Sequence, residues 1–587
     1  MFHVKDHKTR NLFDSYSHLG PKRRSLLEKS WAQIFRDEIL PILPVHLLRD
    51  HFHGSHGRPT KELYAILGTM VIQQNEDMTD EEVVYQLAFN ELWHYALDIR
   101  GTSDEATYFC EKSLWNMRKL IIEHSIYDAI FDSITEQLAK VCKVDTSKQR
   151  LDSVHIKSNM RHLGRIGLFT STIKKFLRNL KRHHKEYFAS IDQELLDRYL
   201  SKRGKSTFAM VKPSETGNTL EILAQDLLSL VESFRLVEKI RGMNTYQLLV
   251  RLLEEQCHVE EASTTSAKKV TVKPNKEVPS DSLQNPSDPD AGYSGHKGKG
   301  YQAQVMETYN PEQTKESKQL SLITYIEVES ANESDANALM PAIKETKRRG
   351  VGAKEILADS LYGSDDNCEA AKKVGVKIIA PTMGPSEDDK ITLKDFNLSE
   401  DGAVLCCPEG NYPVDNRRNE KKNRNSALFS LDTCLNCCRL ECCPVKKRKK
   451  GFTLSYYDKA ARVAKRKAYE QTDAFREKYR YRAGVEATNS QYDRKTGVKH
   501  LRVRGFKAVR CAAKMKAAGI NILRATAFKN WQNAKKKAAT GLLLPIFSFV
   551  HCAKQIVKEQ FAACCRSFII SRGRMASRLI FCRLAVH

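Results

Sequence analysis

Between positions 150 and 381 the apolar period switches repeatedly between two residues and about 3.6, which excludes both an all-helical and an all-β chain. RLDSVHIKSN alternates and is rich in β-branched residues, so a strand is expected there with Asp152 on it. GYQAQVMET, LSLITYIEVE, KEILADS and VKIIAP read as four further strands, and the segments 334–349 and 365–374 between them read as helices. Strands and helices in this order imply an α/β fold, a mixed sheet flanked by helices.

That sheet is interrupted. Residues 1–140 carry helical spacing in LYAILGTMVIQQ and EEVVYQLAFNELWHYAL, and Thr79 with Glu82 three positions on has the form of a capping box. An N-terminal all-helical domain is expected. The core is then assigned to 141–165, 296–383 and 458–530. Helical periods over 166–260 make a helical insertion. Clustered Ser, Pro, Asp and Gly over 261–295 offer little to bury and predict a flexible loop. The irregular stretch 384–457 is a cysteine-rich insertion, and 531–587 a basic C-terminal tail. With 587 residues, three or four folded units fit the length.

Charge narrows the partners. Lys and Arg outnumber Asp and Glu 96 to 71, a formal charge of +25. Eighteen Lys and Arg stand against the single acid Glu559 from position 501 onward, so +17 of that excess sits there. Such an excess points to a polyanion, with nucleic acid first among the candidates. The longest apolar run, GLLLPIFSFV at 541–550, is ten residues with a proline inside, against the ~20 that a membrane-spanning helix needs. The N-terminus has no apolar core of a secretory signal. No membrane association and a cytoplasmic, nucleoid-associated protein with mostly reduced cysteines are expected.

Three acids stand apart by their settings: Asp152 within a strand, Asp359 at the end of one in ILADSLYG, and Glu486 on a helix in YRYRAGVEAT. An acid on a buried strand is costly unless it is paired or binds a metal. In Tyr479, Arg482 and Glu486 the chain is similar to the Tyr-x2-Arg-x3-Glu-x6-Lys signature of the cut-and-paste DDE transposases of bacterial insertion sequences, with Asp493 where the signature has Lys. DSVHIKSN and ADSLYGSDDN resemble that family's blocks around the first and second acids, GHKGKGYQ the run into its second strand, and HGRPTKELYAILGTMVIQQNEDMTDEEVVYQLAFNELWHYAL its N-terminal helical domain. The resemblance runs from about residue 35 to 530.

What the resemblance implies is a ribonuclease H-like core in which Asp152, Asp359 and Glu486 hold two Mg²⁺ ions, with Mn²⁺ able to substitute. Hard divalent ions prefer carboxylate oxygens, and a pair of them can stabilise both the attacking and the leaving oxygen of a phosphoryl displacement. Both insertions fall in the long gaps between the acids. On a regular helix Tyr479, Arg482 and Glu486 share one face, which would turn Tyr479 and Arg482 toward DNA. Arg494, about 80° around from Glu486, could take over the role of the missing Lys, whereas Lys495 lies near the opposite side.

Seven of the sixteen cysteines fall between positions 406 and 443. Cys407, Cys434, Cys437 and Cys443 give Cys-x26-Cys-x2-Cys-x5-Cys, which reads as a structural zinc site more readily than as disulfides, while Cys406, Cys438 and Cys442 leave the ligand choice open. The function expected is a DNA transposase that binds terminal inverted repeats, cuts double-stranded DNA by metal-assisted hydrolysis and joins the 3′ ends to target DNA as a homo-oligomer in a synaptic complex. Its rival is an inactive DNA-binding regulator or decayed copy. A ribonuclease H-like nuclease of another type leaves Tyr479 and Arg482 unexplained.

Overall fold

The computed structural model describes residues 2–539 apart from 10–14, 55, 58, 201–207, 209–210, 262–267, 313, 315–316 and 385–389. Residues 1–525 form one compact unit and 526–587 a second. Most of the stretch expected as a basic tail, 540–587, lies outside the described residues. No helix among the described residues is long and apolar enough to cross a membrane.

Helices fill the chain from Pro21–Lys29 to Ile126–Val141. Leu63–Glu76 (α1) is almost wholly buried, and the next helix, Asp80–Phe89 (α2), starts on the capping box read in the sequence: Thr79 accepts from the Glu82 amide at 3.2 Å and Glu82 accepts from the Thr79 amide at 2.6 Å. Glu62 caps α1 through the Ala65 amide at 2.7 Å and also faces His7 Nε2 at 3.4 Å, while His7 Nδ1 lies 3.3 Å from Asp98. Burial opposes a charge on His7, but the carboxylates of Asp98 and Glu62 outweigh it and push its pKa up to about 9. A folded-state pKa above the unfolded value means stability that is complete below about pH 6.5 and lost as pH rises through about 9. Denaturant unfolding of the wild type is therefore expected to weaken across that window by on the order of 1–2 kcal/mol after screening, relative to a His7→Gln variant. Parallel pH profiles for the two proteins would refute this.

The sheet that follows is built from Lys148–Lys157 (β1), Gly298–Thr308 (β2), Ile323–Ser330 (β3), Glu355–Leu357 (β4) and Lys377–Ile379 (β5). β1 pairs antiparallel with β2, from Gln149 opposite Thr308 to Lys157 opposite Gly300, and parallel with β4. β2 also pairs antiparallel with β3, β4 pairs parallel with β5, and Gly292–Ser294 adds a short strand against the start of β2. The spatial order is β3-β2-β1-β4-β5. At Gly300, φ is +147° and a Cβ would stand 2.2 Å from the Ile156 carbonyl, so only glycine lets β2 run this close to β1.

Helices cover both faces of this mixed α/β sheet. Leu151, Met306, Tyr325 and Ile356 pack with Leu339–Arg348 (α6) and Asp365–Lys373 (α7) on one side. On the other, Leu357 and Ile379 meet Phe475, Tyr479 and Tyr481. The strands lie where the alternation placed them, and α7 starts where read. The helical run after 458 does not form one helix: it divides into Asp458–Glu470 (α8), Asp473–Tyr479 (α9), a 3-10 turn Arg480–Ala483 and Gly484–Thr496 (α10). Arg150 Nη1 donates to the Tyr481 carbonyl at 2.7 Å, and a Cβ on Gly484 would stand 1.9 Å from that nitrogen, so the backbone tightens here to admit the guanidinium.

Two further expectations change. The stretch expected as a flexible loop is structured from 268 onward: Lys268–Val272 pairs with Cys257–Glu261, and Ser282, Asn285 and Asp288 are buried. Its packing is polar, which hydropathy does not reveal. Asp288 accepts from Tyr301 Oη at 2.6 Å and from the Gly505 amide at 3.0 Å, and Arg251 donates to the carbonyls of Asp281 and Pro289. Residues 262–267 lie outside the described residues.

The cysteine-rich stretch is likewise not irregular. Asp415–Asn419, Arg424–Phe429, Gly451–Tyr457 and Lys446–Arg448 make a four-stranded antiparallel sheet over Phe396, Val404, Phe429, Phe452 and Leu454. Its outer hairpin, DNRRN turning through Asn423 at φ +46°, carries no alternating apolar residues, so periodicity could not find it. The helical insertion is a separate layer of helices, chiefly Arg165–His183 (α3), Thr216–Phe234 (α4) and Asn244–Gln256 (α5), around Phe169, Phe176, Leu227 and Tyr246. The helix Phe506–Ala539 (α11) ends the described chain.

Candidate active site

Alternation along β1 turns Gln149 and Leu151 toward α6, and Arg150 and Asp152 toward α10. Asp359 stands two residues past β4, beside Asp152, with Oδ1 accepting from the Leu361 amide at 2.9 Å. Glu486 opens α10 in the first turn. Arg482, in the 3-10 turn, joins the first and third acids: its Nη2 lies 3.3 Å from Asp152 Oδ1 and its Nη1 donates to Glu486 Oε1 at 2.7 Å. Asn489, one turn further along α10, approaches Asp152 Oδ2 at 3.4 Å.

These groups also act on one another electrostatically. Burial pushes the Asp152 carboxyl above the usual range, Arg482 draws it back, and the nearby Asp359 and Asp335 push it further. Burial opposes the charge on Arg482, but Asp152, Tyr479, Glu486 and Asp359 keep it firmly protonated. The Asp152 side chain is 14% exposed and that of Glu486 63%, so the first acid is fixed in the sheet and the third can move. Among the described residues no group of three or more His, Cys, Asp or Glu is placed to hold a metal ion. In this arrangement Arg482 is the counter-ion of the acids.

The signature residues separate in role. Tyr479 does not turn outward: it stacks on Phe475 at 5.2 Å and is half-buried, with its hydroxyl pushed above the usual range by burial and by Asp359 and Asp152. Arg482 faces the acids, and Glu477 pairs with Arg480 instead. The shared-face expectation assumed an unbroken helix; the turn at 480–483 interrupts it, yet Arg482 still reaches Glu486. Arg494 and Lys495 are both exposed on α10, and Asp493 lies beside Lys499 at 3.7 Å.

Sequence reasoning missed four neighbours. Arg150 and Glu307 face each other across β1 and β2, with Arg150 Nε on Glu307 Oε1 at 2.7 Å. Alternation from Asp152 already put Arg150 on the same face. On the opposite face Asp335 accepts from Ser153 at 3.1 Å and from Gln304 at 2.9 Å, and Lys297, from the GHKGKG run, donates to Ser153 at 2.8 Å. Nothing in a lone sequence marked Asp335.

Three of the chosen cysteines, Cys407, Cys434 and Cys443, pack against the core of the small sheet. Burial, with Cys443, Cys407 and Cys437 close by, pushes the Cys434 thiol up to about 11, and burial with Cys437, Cys407 and Cys442 raises Cys443. Cys437 and Cys443 each close a tight turn, their amides donating to the Cys434 and Leu440 carbonyls at 3.2 Å. All described cysteines are free thiols.

Residues 406–526, which contain this sheet and Glu486, match the model of a transposase DDE domain. Residues 25–120 match that of a transposase domain (DUF772). The chain carries the two domains of an insertion-sequence DDE transposase. Asp152 and Asp359 lie outside both matched stretches. A transposase with a DDE domain is a nucleic-acid-cutting enzyme with DNA as its partner, and the family generally uses divalent metal ions. No curated protein and no solved structure matches the chain significantly.

Proposed function

We propose that the transposase binds the terminal inverted repeats of its own element, hydrolyses a phosphodiester at each end and joins the freed 3′ ends to target DNA, working as a homo-oligomer. The observation that carries this reading is Arg482 paired with both Asp152 and Glu486 on one side of the sheet, with Asp359 near enough to raise the Asp152 carboxyl further. The order β3-β2-β1-β4-β5, with only β2 antiparallel to β1 and with helices on both faces, supports a ribonuclease H-like core. The hard-oxygen donor set fits Mg²⁺ or Mn²⁺, and a pair of such ions would supply activation of the attacking oxygen and neutralisation of the leaving one.

This chain's own residues prepare that site. Arg482 holds Glu486 within reach of Asp152 while compensating both charges, and exposed Glu486 can leave it for a stronger cation. Tyr479 fixes the turn by stacking on Phe475 and keeps a protonated hydroxyl near the two aspartates. Arg494 meets phosphate oxygens from the last turn of α10. The deciding experiment incubates the purified chain and Mg²⁺ with duplex DNA carrying the short inverted repeats that flank its reading frame. Nicks at the repeat boundaries are expected; binding without nicking would identify a non-catalytic regulator.

The thiols of Cys407, Cys434, Cys437 and Cys443 are a soft-donor set of the kind that holds a structural zinc ion, and a bound cation would reverse the upward shifts of Cys434 and Cys443. About one zinc per chain is expected by elemental analysis of reduced protein, with Cys437→Ser abolishing it and opening residues 390–457 to proteolysis. Metal-free protein with an intact small sheet would rule the ion out.

A further inference from the structure

The helix α3 is a cationic rod with its charges on one side. From Arg165 to Lys185 the chain has seven Lys and Arg and no acid. Phe169, Ile173, Phe176, Leu177 and Leu180 face the core of the insertion, which leaves Lys174, Arg178, Lys181 and Arg182 on the outer side. At 100° per residue these four fall within a sector of about 100° and span about 12 Å of the axis. None of them has a carboxylate partner among the described residues. Other helical cations do: Arg198 pairs with Glu194, Arg251 with Glu255 and Arg348 with Glu345. The packing partner α4 carries Glu221, Asp226 and Glu232 and no Lys or Arg, so the insertion is polarised, one helix basic and one acidic.

A basic loop lies near both this helix and the end of β1. Lys175, next in the chain, donates to the Pro286 carbonyl, and its pKa is lowered by burial and by the nearby Arg504. Asn159, two residues past β1, donates to the Arg502 carbonyl at 2.9 Å, so the loop bearing Arg502 and Arg504 bridges the end of β1 and the start of the stripe. Five residues of strand, about 17 Å, separate Asp152 from Lys157 at that end. Like charges gathered without acids are unfavourable until a polyanion neutralises them.

We propose that the outer face of α3 is a docking surface for the sugar-phosphate backbone of the duplex flanking the cut, running from Arg504 along Lys174, Arg178, Lys181 and Arg182. It deepens the reading of the chain as a transposase and rests on it. About 12 Å of stripe covers three to four phosphates of one strand at 3.4 Å each. The contact is to phosphate alone, so it sets orientation and carries no sequence preference.

The test is the salt dependence of duplex binding by the full chain. Replacing Lys174, Arg178, Lys181 and Arg182 by Gln should flatten the slope of log K against log salt by roughly 3–4, at about 0.9 for each phosphate that is no longer neutralised, equally for repeat and unrelated DNA. A control removing the exposed Lys344, Lys347, Lys372 and Lys373 from α6 and α7 matches the change in net charge and should leave the slope nearly intact. Equal slopes for the two variants would overturn the proposal. Should the Gln variant misfold, lysine acylation of the wild type read by mass spectrometry decides: duplex DNA should protect Lys174 and Lys181, and unchanged labelling counts against the surface. A wild-type chain that binds no duplex at any salt would remove the transposase reading itself.

Discussion

Asp152→Asn, Asp359→Asn and Glu486→Gln are each expected to lower the rate of end cleavage by about 10³-fold or more while duplex binding stays within a few-fold of wild type. A lost carboxylate donor at a divalent site forfeits roughly 4 kcal/mol of transition-state stabilisation, and each 1.36 kcal/mol is a factor of ten. Binding rests on Lys and Arg contacts to phosphate, which these changes leave in place. The three substitutions are close to isosteric. Asp152→Asn still leaves Arg482 paired with Glu486, so its folding should be nearly normal. A Glu486→Gln protein that cuts at the wild-type rate would show that Glu486 is not the third acid.

The settings of Asp152 and Asp359 were legible because each sat in a local pattern that survives in the fold. Alternation around Asp152 is the alternation of β1, and the apolar run before Asp359 is β4. The orientation of Arg482 was not legible. It depends on a 3-10 turn set by Arg150, a residue 332 positions earlier in the chain, and helical periodicity has no term for a partner that far away. The same limit explains the segment 268–294, which is held by Asp288, Arg165 and Arg251 through hydrogen bonds to other elements. Hydropathy finds cores made of apolar side chains and passes over those made of satisfied polar ones. The cysteines were the opposite case. Their spacing picked out Cys407, Cys434 and Cys443, which pack against the small-sheet core, while Cys438 is exposed.

Glu307→Ala is expected to destabilise the compact unit by about 3–5 kcal/mol in denaturant unfolding and to remove cleavage as well. Glu307 is fully buried and takes three donors: Arg150 at 2.7 Å, Arg524 at 2.8 Å and Thr488 at 2.7 Å. Removing it leaves two guanidiniums, 12% and 13% exposed, without their anion, and an unpaired buried charge costs far more than the intact group contributes. The catalytic consequence follows from where the network ends. Arg150 carries the Tyr481 carbonyl, and Thr488 lies two residues after Glu486 on α10, so Glu307 fixes both sides of the segment that presents Arg482 and Glu486. Arg150→Ala removes one cation and leaves Glu307 with Arg524 and Thr488, so it should cost less stability. It should nonetheless slow cleavage, because the turn at 480–483 loses its anchor. This contrast separates positioning from folding: a variant that loses little stability but much of the rate, with unchanged duplex affinity, places the effect in the geometry of Glu486. If Arg150→Ala instead cuts at the wild-type rate, the turn holds its shape without the guanidinium, and the crowding at Gly484 has no bearing on the site.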